Sequence, residues 1–297
     1  MPAGPDARCA EPICVWPAGA LLGEGALWDE RDRAVYWVDI KAPAVHRYTP
    51  ATGEKRSWPM PETIGCIARR RAGGFVAAFK SGFALLDLET GVIERIGNPE
   101  PDVSGNRFND GNCDASGRFW AGSMDDGLKR PTGWLYRLDA QRRWVRTDGG
   151  YVCTNGPAFA GDGRTMYHTD TLGRTIYAFD LDANGLPAHK RPHIRFAEAD
   201  GYPDGMTVDA EGCLWVAHWG GWRVTRFRAD GSVDRAVRLP VAQVTRPAFG
   251  GPGLTTLYVT TASIDLLAAE RTRQPLAGGL FACETAVRGL PAGQFAG

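Results

Sequence analysis

GYPDGMTVDAEGCLWVAHWGG, residues 201–221, contains an apolar strand from Cys213 to His218, a tight turn before it, and Pro203-Asp204-Gly205 before that turn. The leading aromatic of the strand, Trp215, has counterparts at Tyr36, Phe75, Trp120, Tyr167 and Tyr258. Successive members are 39, 45, 47, 48 and 43 residues apart. A Gly- or Asp-rich turn precedes each one: DERDRA, RRAGG, DASGR, AGDGRT, DAEGC and GGPGLT. Most are followed by a third alternating strand and a second turn, as in IYAFDLDANG and VTRFRADGS. Each unit therefore reads strand, turn, strand, loop, strand, turn, strand. A four-stranded unit repeated about every 45 residues is the signature of a β-propeller blade. Six units predict an all-β, six-bladed propeller of four-stranded antiparallel blades, filling residues 1–297 as a single domain. A β-sandwich or barrel with accidental spacing is the competing architecture, and six successive matches disfavour it. Residues 262–273, ASIDLLAAERTR, are the one place where a turn of helix is expected.

Composition agrees with this architecture. The chain of 297 residues has 38 glycines and 10 tryptophans, many turns and many large aromatics, as short strands require. Lys plus Arg and Asp plus Glu are 34 each, so the basic excess of a nucleic-acid binder is missing. No apolar run approaches the roughly 20 residues that span a bilayer. Residues 1–15 read as a loose Pro-, Ala- and Gly-rich lead-in without the pattern of a secretory signal. The seven cysteines include no C-x-x-C pair, and the five histidines include no H-E-x-x-H. Reduced thiols, a cytoplasmic location, a monomer and no membrane partner are expected.

Inner strands of a propeller line its central channel. Aligned by their small residue, the six inner strands carry Glu24-Gly25, Ile64-Gly65, Asp110-Gly111, Asn155-Gly156, Asp204-Gly205 and Pro247-Ala248. Glu24, Asp110 and Asp204 would then converge on one axis, and such burial of like charges is costly. A bound cation removes that cost. Glu24, Asn155 and Asp204 make an oxygen-only ligand set suited to one hard divalent cation. The ligands leave open whether that ion is Ca, Mg, Mn, Zn or Fe(II), and Zn is disfavoured by the lack of His and Cys spacing. The glycine after each ligand lets backbone pass close by. Arg107 and Asn109 precede the third inner strand's acid, and the planar fork of an arginine there can hold substrate oxygens or simply balance the acids. Asp39, Asp125, Asp126, His168, Asp170, His218 and Trp219 follow the blade aromatics and are further candidates for the rim.

Five stretches together resemble the senescence-marker-protein/gluconolactonase/regucalcin family of sugar lactonases. They are LGEGALWDERDRAVYWVDI (22–40), NRFNDGNCDASGRFWAGSM (106–124), TNGPAFAGDGRTMYHTDT (154–171), YPDGMTVDAEGCLWVAHWGG (202–221) and TRPAFGGPGLTTLYVTTA (245–262). HTDTLGRTIYAFD, AHWGG and PLAGGLFA look most like bacterial xylonolactonases or arabinolactonases within it. The resemblance implies a six-bladed propeller and a divalent metal on Glu24, Asn155 and Asp204. It also implies substrate contacts from Arg107 and Asn109. The acid that the family carries after AGxM is not assigned, because DDGLKRPTG departs from the animal pattern at Asp125 and Asp126.

The activity expected is that of a carboxylic-ester hydrolase opening an aldonolactone to its acid, with a pentonolactone or gluconolactone as substrate. Asp204 is the candidate general base, although a metal-held carboxylate is a weak one; activation of the water by the cation itself is the alternative. No G-x-S-x-G elbow supports a serine esterase. A phosphotriesterase-like hydrolase and a non-catalytic metal-binding propeller are the rival readings.

Overall fold

A computed structural model describes residues 9–297. Six four-stranded antiparallel sheets follow one another around a central channel, as the repeat predicts. Their inner strands are Gly23–Asp29, Ile64–Arg69, Asn106–Cys113, Thr154–Phe159, Tyr202–Val208 and Val244–Gly250. We number the blades 1 to 6 in that order. Within blades 1 to 5 the strands pair in chain order, from the channel outwards. The expected helical turn is present as Ala268–Arg273.

The turns between first and second strands explain why the repeat folds as it does. In blade 5, Asp209 Oδ1 accepts the Cys213 N–H at 3.0 Å, which closes the turn, and its Oδ2 accepts the indole N–H of Trp215 at 2.7 Å. Blade 3 repeats this with Asp114, Arg118 N at 3.0 Å and Trp120 Nε1 at 2.9 Å. One carboxylate thus satisfies both the turn and a wholly buried tryptophan, whose polar edge needs a partner. Arg118 and Arg226 pair with these two aspartates at 2.6 and 2.8 Å, so the buried charges are compensated.

Blade 6 closes the ring from both ends of the chain. Its strand order runs from Val244–Gly250 through Thr256–Thr261 and Leu280–Glu284 to Ile13–Trp16 on the outside. The expected lead-in over residues 1–15 is corrected here. Residues 1–8 lie outside the described residues, but Ile13 onwards is a strand, with Ile13 opposite Ala282 and Cys14 opposite Phe281. This four-residue strand sits between Pro12 and Pro17, and its partner lies at the other end of the chain, so nothing local signals it.

After the last strand, residues 285–297 cross the mouth of the channel at the C-terminal ends of the inner strands. Gly289 N donates to Leu254 O at 2.8 Å in blade 6, and Phe295 N to Arg69 O at 2.8 Å in blade 2. Phe295 is fully buried among Ala68, Phe83 and Phe119. A cavity of about 460 Å³ lies between this crossing segment and Arg246.

Candidate functional site

The candidate ligands lie near the N-terminal ends of the inner strands, away from that cavity. Every inner strand has a break in its pairing register there. In blades 1, 4 and 5 the breaks fall between Glu24 and Leu27, Asn155 and Ala158, and Pro203 and Met206. A bulge adds a residue to one strand and re-aims its side chains. Gly25 takes the left-handed φ of 63° that this bend needs in blade 1. In blade 5 a Cβ on Gly205 would stand 2.8 Å from Thr245 O and 2.9 Å from Arg246 Cβ, so glycine there permits close approach of two blades.

Glu24, Asn155 and Asp204 are only 2, 2 and 5 % exposed. Glu24 Oε2 accepts its neighbour's N–H, from Gly25, at 2.9 Å, and Asp204 Oδ1 accepts that of Gly205 at 3.0 Å. The two carboxyl groups act on each other's ionisation. Burial pushes Asp204 well above the usual carboxylate range, and the charge of Glu24 adds to the rise. Burial likewise raises Glu24, against the pull of Arg246 and Arg107. Asn155 donates from Nδ2 to Thr171 Oγ1 at 2.9 Å, while its Oδ1 accepts from Asn109 Nδ2 at 3.1 Å. An amide oxygen has a second lone pair, so this leaves Oδ1 one further coordination.

The alignment of Asp110 with Glu24 and Asp204 is corrected by register. Leu27, Asn112, Ala158, Thr207 and Ala248 pair with the mid-blade aromatics Tyr36, Trp120, Tyr167, Trp215 and Tyr258. Three residues back from each lie Glu24, Asn109, Asn155, Asp204 and Thr245. Asn109, not Asp110, is the third blade's member of the ligand ring, and Thr245, not Pro247, is the sixth blade's. Asp110 sits one residue further on, at the level of Gly25, Gly156 and Gly205. It is fully buried and accepts the N–H groups of Gly111 and Gly156 at 2.7 and 2.8 Å. Its counter-ion is Arg246, which reaches it from blade 6. The Asp110–Arg246 pair therefore lies between the ligand ring and the cavity at the other mouth.

Arg107 and Asn109 adjoin the ring. Arg107 Nη1 donates to Asn109 Oδ1 at 2.7 Å and Nε to Asp126 Oδ1 at 2.6 Å. Asn109 Nδ2 also donates to Thr154 O at 2.8 Å. The two unassigned aspartates have different surroundings. Asp125 binds the Lys129 and Arg130 N–H groups and the Arg130 side chain, so it holds its own loop. Asp126 lies between Lys41 at 2.7 Å and Arg107; burial works to raise it, but these cations hold it below the usual carboxylate range.

Of the other rim candidates, Asp39 caps a turn, accepting from Leu21, Leu22, Lys41 and Ala42 N–H groups. Asp170 accepts the Gly173 N–H at 3.0 Å. His168 is fully buried within blade 4, and His218 Nδ1 meets Asp200 O at 2.8 Å. Sequence reasoning missed Lys41 and Thr171, which lie in turns after the second strands of blades 1 and 4, and Arg246, on the inner strand of blade 6; none shares the ligands' position before a glycine.

The donor set fits a divalent cation. Two interacting buried carboxyls are both costly to ionise without one, and all the donors are oxygen. Among the described residues no three His, Cys, Asp or Glu side chains come together, so the amide of Asn155 is needed to complete three ligands. No helix among the described residues is long and apolar enough to cross a membrane.

Comparison with known proteins identifies the family of the chain. Residues 22–263 match the model of the SMP-30/Gluconolactonase/LRE-like region. The chain is 38% identical over 285 residues to a 6-deoxy-6-sulfogluconolactonase of Pseudomonas putida, covering 96% of this chain and 98% of that protein. It is 38% identical over 280 residues to an L-arabinolactonase of Azospirillum brasilense, covering 93% and 92%. A crystal structure of regucalcin from Agrobacterium tumefaciens, described as a calcium-binding protein, superposes with a TM-score of 0.92 at 30% identity. That match covers 96% of this chain and 97% of the other.

Proposed function

The chain belongs to the SMP-30/gluconolactonase/LRE-like family, and from that premise we propose that it hydrolyses an aldonolactone to the open aldonic acid, using one divalent cation held by Glu24, Asn155 and Asp204. The observation that carries the reading is the pair of buried, interacting carboxyl groups, Glu24 and Asp204, at the same inner-strand level as the buried Asn155 amide. A bound divalent cation would supply Lewis-acid polarisation of the ester carbonyl.

The chain's own residues do the rest. Asp204, held ionised when a cation is bound despite its burial, takes a proton from the attacking water as it adds to the carbonyl carbon, and returns it to the ring oxygen as the C–O bond breaks. Asp126 and Asn109 fix the Arg107 guanidinium, which leaves its remaining N–H groups for the carbonyl or hydroxyl oxygens of the sugar. Asn109 supports both Arg107 and Asn155, so substrate and ligand positions are coupled through one side chain. A pentonolactone or gluconolactone is the proposed substrate, in keeping with the two lactonases at 38% identity. The seven cysteines are all free thiols, which suits a cytoplasmic enzyme; a monomer of one domain over 1–297 is part of the same proposal.

The test is acid release from a panel of aldonolactones, with uncatalysed opening subtracted, on chelated and cation-reloaded protein. Chelation should abolish turnover and reloading restore it. Asp204→Asn and Glu24→Gln should each lower kcat/KM by about 10²-fold or more. Full turnover by Asp204→Asn with cation bound, shown by calorimetry, would remove Asp204 as the base.

A further inference from the structure

An amide can present either its oxygen or its NH2 to a neighbour, and the contacts around Asn155 leave it one orientation. Arg107 can only donate, so the Asn109 atom that meets its Nη1 at 2.7 Å is Oδ1. Asn109 Nδ2 then donates to Thr154 O at 2.8 Å and to Asn155 at 3.1 Å. The Asn155 atom that meets it must be Oδ1, because the reverse would set two NH2 groups against each other. Asn155 Nδ2 is left on the other side of the amide, and there Thr171 Oγ1 accepts from it at 2.9 Å. Both residues are buried. Thr171 follows the second strand of blade 4, Thr165–Asp170, and its backbone is held on both sides. Its N–H donates to Cys153 O at 3.1 Å, and its O accepts from Arg174 N at 3.1 Å. The hydroxyl is therefore a fixed acceptor for the NH2 that Asn155 turns away from Asn109.

We propose that Thr171 is a positioning residue for the cation site: its hydroxyl accepts from Asn155 Nδ2 and so keeps the amide oxygen, not the NH2, turned into the ligand ring. The role presupposes that Asn155 is a cation ligand, as proposed above. Without the hydroxyl, the Asn155 Nδ2–H is a buried donor with no partner on that side. The terminal torsion of an asparagine is broad, so an amide held on one side only can swing and take its oxygen out of the ring. A group that holds a ligand from behind acts on the affinity for the ion. Thr171 is also the far end of a line of contacts that starts at Lys41 and runs through Asp126, Arg107, Asn109 and Asn155. Asp126 and Asn109 brace Arg107 from within that line, and Thr171 touches neither end of those braces. Loss of its hydroxyl therefore loosens the cation ligand and leaves the guanidinium in place.

The experiment measures Mn²⁺ and Ca²⁺ binding to the chelated full chain by calorimetry, for the unmutated protein, Thr171→Val and Thr171→Ser. Valine keeps the shape of threonine and removes the acceptor; serine keeps the acceptor. Thr171→Val should bind each cation about 10-fold more weakly, and Thr171→Ser should bind as the unmutated chain does. In the lactone assay, the cation concentration that gives half the maximal rate should rise by the same factor in Thr171→Val, and saturating cation should restore kcat. A merely damaged fold would not be repaired by more cation. Equal affinity in Thr171→Val and the unmutated chain overturns the proposal. So does a Thr171→Ser as weak as Thr171→Val, or a kcat that stays low at saturating cation. The reading of the site itself fails differently. An unmutated chain that binds no cation removes both that reading and the role of Thr171. One that binds cation but opens no lactone removes the reaction alone, and the calorimetry still decides the role of Thr171.

Discussion

Arg246 is the residue whose role depends most on its neighbours. It is buried, it pairs with fully buried Asp110, and Asp110 also accepts two backbone N–H groups. Removing one partner of such a pair strands the other charge. Arg246→Met should therefore cost about 3–5 kcal/mol in denaturant unfolding, and Asp110→Asn in the same chain should recover part of it. His168 makes a second residue-scale prediction. It is fully buried, neither ring nitrogen has a partner among the described residues, and burial lowers its pKa from 6.5 to about 4. The unfolded chain thus binds a proton below 6.5 that the folded chain refuses. The stability contributed is complete above 6.5, falls as pH drops, and is lost below about 4, amounting to about 3 kcal/mol. Urea midpoints between those pH values should fall less steeply in His168→Phe, with His46 and His218, which burial also lowers to about 4, carrying the remaining slope. At this scale Glu24, Asn155 and Asp204 were legible from their shared position before a glycine. Asp110 was misplaced, because its own Asp-Gly imitates that position one residue out of register, and a shift of one residue on a strand turns the side chain elsewhere.

At the scale of the element, the inner strands are held close by glycine. A Cβ on Gly65 would lie 2.6 Å from the carbonyl carbon and oxygen of Phe108 and 2.7 Å from Asn109 O, all backbone atoms of blade 3. Gly65→Ala should push blades 2 and 3 apart, costing about 1–3 kcal/mol. It should also lower lactone turnover, because Asn109 would move with its strand; urea unfolding and kcat/KM together check this. The strands of blades 1 to 5 were readable from alternation and turn chemistry such as DASGRFW and DAEGCLW. Ile13–Trp16 was not, since a short edge strand owes its existence to a partner supplied from the far end of the chain.

Across the whole molecule, the segment after Glu284 links blades that are not sequence neighbours. Ala210 N donates to Arg288 O at 2.8 Å in blade 5, and Ala296 N to Gly117 O at 2.9 Å in blade 3. Phe295 anchors it, so Phe295→Ala should cost about 3–5 kcal/mol in a denaturant titration while the surviving folded enzyme keeps its KM. By itself, the sequence determined the six-fold repeat and the strand pattern of each blade, and it singled out three candidate oxygen donors on the inner strands. Those properties rest on local periodicity and on positions that recur from blade to blade. Only the tertiary structure decided that Asn109 joins the ring, that Asp110 is neutralised by Arg246, and that Lys41 and Asp126 brace Arg107. Each of these depends on which side chains from separate blades come within hydrogen-bonding distance, and bulges and ring closure set that distance with no trace in local spacing.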